Sequence, residues 1–187
     1  GWKPFKASEV DRLGYGDCKG LTNYTMALLK AVGIEANYAL IHSGSSQQSF
    51  DKDFAVMQGN HVILNIPVEN QEDIWLECTS QIAPFGHLGD FTDNRNVLVV
   101  SPEGGKIKRT KQYHVDENKQ VINAECNIDN DGNVKAEVLI LSEGIKYDDK
   151  YYLERVEKRD LEKHYKVHWR YINNMSINKI EILNNVV

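Results

Sequence analysis

Residues 14–33, GYGDCKGLTNYTMALLKAVG, place a cysteine at the first position of an amphipathic helix, and no other stretch limits the folding of the chain so strongly. Spaced i, i+3, i+4 and i+7, the residues Cys18, Leu21, Thr22, Thr25, Leu28, Leu29 and Val32 form one continuous face, so Cys18 turns inward with the core. Asp17 is placed as N-cap, Gly14 and Gly16 permit a tight approach, and Gly33 ends the helix in a left-handed cap after roughly four turns. A thiol there meets unpaired backbone N–H groups and the positive end of the helix dipole, which favour thiolate and can hold an oxyanion. Free cysteines are also among the most buried residue types, and a plainly packed thiol is the alternative. A base elsewhere in the chain decides between the two.

The residues that follow supply one. IEANYALIH has the β-branched and aromatic content of a strand, and the polar segment SGSSQQSFDKDF then reads as an exposed loop of the kind that borders sites. NHVILNIP predicts a second strand, with Val62, Leu64 and Ile66 on one face and His61, Ile63 and Asn65 on the other. PVENQED turns the chain into IWLECTS, a third strand in which Trp75 and Glu77 share a face opposite Leu76 and Cys78. Paired antiparallel across that turn, the two strands bring His61 and Glu77 to the same end. Cysteine, histidine and carboxylate, in that order, fill the roles of nucleophile, base and orienter that thiol catalysis requires.

Beyond Glu77, SQIAPFGHLGDFTDNRN shows little periodicity and predicts a long loop with His87 exposed. The pattern changes near Asn96: NVLVVS, KIKRTKQYHV, KQVINAECNID and NVKAEVLIL read as strands joined by Gly and Asp-Gly turns, which suggests a small sandwich-like β domain. Lys106, Lys108, Arg109 and Lys111 read as a solvated strand face without a ligand. Asn127, Asp129, Asp131 and Gly132 imitate a calcium loop, but Val138 stands where a bidentate glutamate is required, and a hairpin turn accounts for them. His164 and His168 have i, i+4 spacing with Tyr165 in the position where a zinc protease needs glutamate, so no metal and no cofactor is implied. DDKYYLERVEKRDLEKHYKVHWRYI predicts one or two short helices, and the alternating tail predicts a last strand.

Composition removes several function classes. The 187 residues are 41% hydrophobic and 26% charged, an ordinary globular balance, and a net charge of −5 argues against a nucleic-acid partner. No apolar run approaches the roughly 18–20 residues of a membrane span. Three cysteines, Cys18, Cys78 and Cys126, are too few and too odd for a disulfide framework. Gly1 is not a natural initiator, so flanking domains of a longer chain are expected, and the second domain is expected to be truncated.

The segments GYGDCKGLTNYTMALLKAVGIEANYALI, NHVILNIP and DIWLECTSQIAPFG resemble the transglutaminase-like superfamily of bacterial papain-fold domains, from near Trp2 to about Arg95. The most specific part is the GDCKG-type cysteine helix, followed 43 residues later by the Asn-His strand and 16 residues after that by the acidic strand. The resemblance implies an α+β fold with the cysteine helix packed on an antiparallel sheet over residues 1–95, and the strand pattern beyond it is expected to form a mainly β, sandwich-like domain over 96–187. It also implies acyl transfer or amide hydrolysis on a peptide, protein or other amide substrate, with Cys18 as nucleophile, His61 as general base and acid, and Glu77 in the place where the family commonly has aspartate. Trp2, Tyr15 and Trp75 are candidates to line a binding cleft. Since the superfamily contains members that keep the fold without catalysis, a docking module of a larger envelope protein is the alternative, and a bacterial envelope location is implied by the resemblance alone.

Overall fold

A computed structural model describes residues 3–46 and 48–183. Two helices open it, α1 at Ala7–Leu13 and α2 at Cys18–Ala31. The first starts on the Lys6 carbonyl, which accepts from the N–H groups of Glu9 and Val10. Asp17 caps α2, its Oδ1 accepting from the Gly20 N–H at 2.8 Å, and Gly33 leaves the helix at φ +82°. Val10 packs so closely that a Cβ at Gly20 would stand 3.3 Å from it, which is why a helix with a glycine in its first turn keeps α1 lying over its start.

Five strands form one antiparallel sheet: β1 (Asn37–Ile41), β2 (His61–Ile66), β3 (Ile74–Leu76), β4 (Asn96–Ser101) and β5 (Gly104–Arg109), in the spatial order β3-β2-β1-β4-β5. Register places Ile41 opposite His61, Ala39 opposite both Ile63 and Val99, and Asn65 opposite Trp75. Alternation therefore divides the sheet into a row holding Ala39, Ile41, Ile63, Trp75, Val97 and Val99 and a second row holding Tyr38, Leu40, Val62, Leu64 and Leu76. With Leu88 from the loop after β3, the first row is the buried core cluster. Lys108 of β5 nevertheless forms an ion pair with Asp73, just before β3, so the sheet curls until the regions at its two edges meet. Lys108 is thus partnered, and not part of a solvated basic face.

This sheet runs across the division expected at residue 95, because β4 and β5 complete it. The change of pattern near Asn96 therefore does not divide this sheet. Past β5 the chain makes a hairpin, β6 (Gln120–Ile128) with β7 (Val134–Ser142), whose nine residue pairs form a separate two-stranded sheet. A sandwich needs two packed sheets, so the expectation of a sandwich-like domain is corrected to this single hairpin. Short 3-10 turns at Gly144–Tyr147 and Tyr151–Arg155 and helix α3 at Lys158–His168 follow, and the tail through Leu183 carries no strand.

His87 is not exposed either. Its Nε2 lies 3.3 Å from Asp148 and its Nδ1 3.2 Å from the Tyr113 hydroxyl, with the rings of Tyr147 and Tyr151 against it. This cluster fixes the 3-10 turns onto the loop after β3. A Cβ on Gly89 would stand 2.0 Å from the Asp148 carboxylate, so the loop needs glycine at that position.

Arg95 holds the loops beside the core and has no solvent exposure. Its Nε donates to the Asp93 carbonyl, Nη1 to the carbonyls of His42 and Gly44, and Nη2 to the Asp90 carbonyl, with the Asp93 carboxylate 3.6 Å away. Removing the guanidinium takes the donor from those four carbonyls and a positive charge from beside a buried carboxylate. Arg95→Met is expected to lower unfolding free energy by about 3–5 kcal/mol in urea titration, and a midpoint equal to that of the parent would show that the loops hold without it.

Candidate active site

His61 is the first residue of β2, and Glu77 directly follows β3. The short antiparallel connection predicted from PVENQED brings the two together as expected: His61 Nε2 and Glu77 Oε2 are 2.7 Å apart, with side-chain exposures of only 11% and 15%. The second carboxylate oxygen accepts from both the backbone N–H and the hydroxyl of Thr79, so the carboxylate is held from both sides. Phe91 meets the imidazole edge to face, with ring centroids at 5.9 Å. Burial alone would raise the Glu77 pKa, but the His61 hydrogen bond and charge, together with Thr79, outweigh it and hold Glu77 below the ordinary carboxylate range. With Nε2 engaged by Glu77, Nδ1 is the ring nitrogen left for proton transfer.

Cys18 stands at the N-terminus of α2, half-buried, beneath the Asp17 cap. One turn further on, the Thr22 hydroxyl reaches the Val62 carbonyl at 3.5 Å, which lays α2 beside the first residues of β2. Among the described residues no hydrogen bond joins Cys18 to His61. The structure therefore assembles the imidazole–carboxylate pair and sets the thiol on the neighbouring helix. His61 ends its row at the rim of the sheet, opposite Ile41.

The candidate binding residues fare differently. Trp75 is only 4% exposed and belongs to the core cluster, so it lines no cleft; its large apolar ring is worth more under the sheet than at a surface. Tyr15 is exposed, in the approach to α2. Trp2 lies outside the described residues. A cavity of about 450 Å³ opens instead at the segment before β2, lined by His42, Ser49, Met57, Gln58 and Asn60. The polar SGSSQQSFDKDF loop was its only signal in the sequence.

The other cysteines contrast with Cys18. Cys78 is half-buried, and burial pushes its thiol pKa up even though Thr25 and Thr22 hydrogen-bond to it, whereas Cys126 is exposed on β6. Among the described residues there is no group of histidine, cysteine and acidic side chains that could hold a metal ion. No described helix is long and apolar enough to cross a membrane. Asp129 accepts from the N–H groups of Asp131 and Asn133 in the β6–β7 turn, so the residues that imitate a calcium loop close a hairpin.

Compared with protein-family models, curated proteins and solved structures, the chain matches none of them.

Because Glu77 titrates below its ordinary range in the fold, its contribution to stability is complete above that range and disappears as pH falls through the folded value. Glu77→Gln is expected to cost about 1.5–3 kcal/mol at pH 7. The difference from the parent should shrink as pH drops below about 4, measured by urea unfolding at each pH. A difference that stays constant from pH 7 to 3 would mean that the ionised carboxylate adds nothing to the pair.

Proposed function

We propose that this chain is a transglutaminase-like cysteine acyltransferase, amidase or protease that uses Cys18, His61 and Glu77. The observation that carries the reading is the half-buried His61–Glu77 contact at 2.7 Å, a carboxylate holding one imidazole nitrogen at the start of the strand on which a helix that begins with cysteine is laid. In the reaction, His61 takes the thiol proton at Nδ1, and the Cys18 sulfur attacks the amide carbonyl carbon while the C=O π electrons move to oxygen. Backbone N–H groups at the start of α2 hold that oxyanion in this scheme. When the tetrahedral species collapses, the C–N bond breaks and the leaving amine takes the proton from His61. Water or a second amine then attacks the thioester and regenerates the thiol.

A second reading has its own observation. The β6–β7 hairpin exposes one face made of Ile122, Ala124, Cys126, Ile128, Val134, Ala136, Val138 and Ile140, with no charged residue among them. A surface of that kind favours a docking module. The two readings separate on whether Cys18 forms an acyl-enzyme.

Mixed with an activated ester such as p-nitrophenyl acetate, the protein is expected to release a stoichiometric burst of nitrophenol and to carry one acetyl group on the Cys18 peptide by mass spectrometry. His61→Ala should slow that burst about 10²–10⁴-fold, and Cys18→Ala should abolish it. Acetylation spread equally over Cys18 and the exposed Cys126, with no burst, would leave the docking reading in possession.

A further inference from the structure

The second row of the sheet carries a buried hydroxyl with no partner. Tyr38, in β1, has its phenol oxygen closed off from solvent and makes no hydrogen bond. A buried O–H left unbonded is costly, and such a group signals a partner that the resting arrangement does not supply. Alternation puts Tyr38 beside Leu64 and Val62, the part of the sheet on which α2 lies. Cys18 and Asp17, at the start of that helix, act on the phenol electrostatically.

These two groups differ in what they still need. The Asp17 carboxylate is already engaged on both oxygens, Oδ1 by the Gly20 N–H and Oδ2 by the Lys19 ammonium at 3.1 Å. The Cys18 sulfur has no hydrogen-bond donor among the described residues. We infer that Tyr38 is a positioning residue for Cys18, its hydroxyl serving as the internal donor that meets the sulfur when it ionises. Burial, and then the charges of Cys18 and Asp17, push the phenol pKa above its ordinary value, so the O–H stays protonated and able to donate wherever the thiol titrates.

The inference deepens the acyl-transfer reading and rests on it for its meaning, but it is tested without turnover. Iodoacetamide modification of Cys18 is followed by peptide mapping from pH 4 to 10 in the parent, in Tyr38→Phe and in His61→Ala, alongside urea unfolding of each. Tyr38→Phe keeps the ring and removes only the unbonded hydroxyl, so its unfolding midpoint is expected to be unchanged or higher. Its Cys18 profile is expected to move up by about one pH unit, a tenfold loss of thiolate below the midpoint. A profile that stays in place overturns the assignment, as does a lower unfolding midpoint with the profile unmoved, which is the mark of a purely structural tyrosine. A shift in Tyr38→Phe with none in His61→Ala upholds the Tyr38 donor and removes the thiolate–imidazolium pair, so the two failures are told apart.

Discussion

A guanidinium cut off from water must find its hydrogen bonds inside the protein, and Arg95 finds them on four backbone carbonyls contributed by the segments before β2 and after β3. The planar fork of the side chain makes this a geometric constraint as well as an energetic one, since carbonyls from His42, Gly44, Asp90 and Asp93 must converge on one plane. Much of the molecule depends on that convergence. The loop ending at Asp93 carries Leu88 into the core cluster and Phe91 against the His61 ring, and the loop at His42 and Gly44 leads into the cavity beside β2. The nearby carboxylate of Asp93 is itself pushed toward protonation by burial and held back by Arg95. An aliphatic residue in place of Arg95 would satisfy none of these groups.

The candidate site follows from the limits of strand alternation. A strand separates its neighbours onto two faces, so side chains from opposite faces approach one another most readily where the strand ends. Cys18 opens α2 and His61 opens β2, so both side chains sit at termini, where unpaired backbone groups and fewer neighbours leave room for a reaction. The carboxylate partner cannot be so free. Glu77 must hold a ring at 2.7 Å, and Thr79, two residues on, fixes its other oxygen. Glutamate carries one methylene more than aspartate, and in this sheet the contact is made with that longer side chain.

The β6–β7 hairpin follows a different logic. Its cross-strand pairs are regular over nine positions, yet both strands are almost wholly exposed. Two strands alone bury little apolar surface, and an uncharged face of that length is the part of the described chain least explained by its own fold. The five-stranded sheet, in contrast, uses both faces of β2, where five of six residues are buried.

What could be read from the sequence was local. Helix α2 and its Asp17 cap, the strand openings at His61 and near Ile74, the pairing that brings Glu77 to His61, and the β6–β7 turn all depend on residues close in the chain, whose periodicity and turn chemistry act over a few positions. Tertiary structure decided what depends on distant partners. His87 looked exposed because Asp148 lies 61 residues away, Lys108 looked solvated because Asp73 lies at the far side of a curled sheet, and Trp75 looked like a cleft residue because its burial depends on Leu88 and the whole core row. The membership of β4 and β5 in the first sheet was hidden for the same reason, since an edge strand carries no mark of the neighbour it will join. Tyr38 shows the division within one residue: its place in a strand is written in NYALI, but the unbonded hydroxyl facing the cysteine helix exists only once the sheet and α2 have packed.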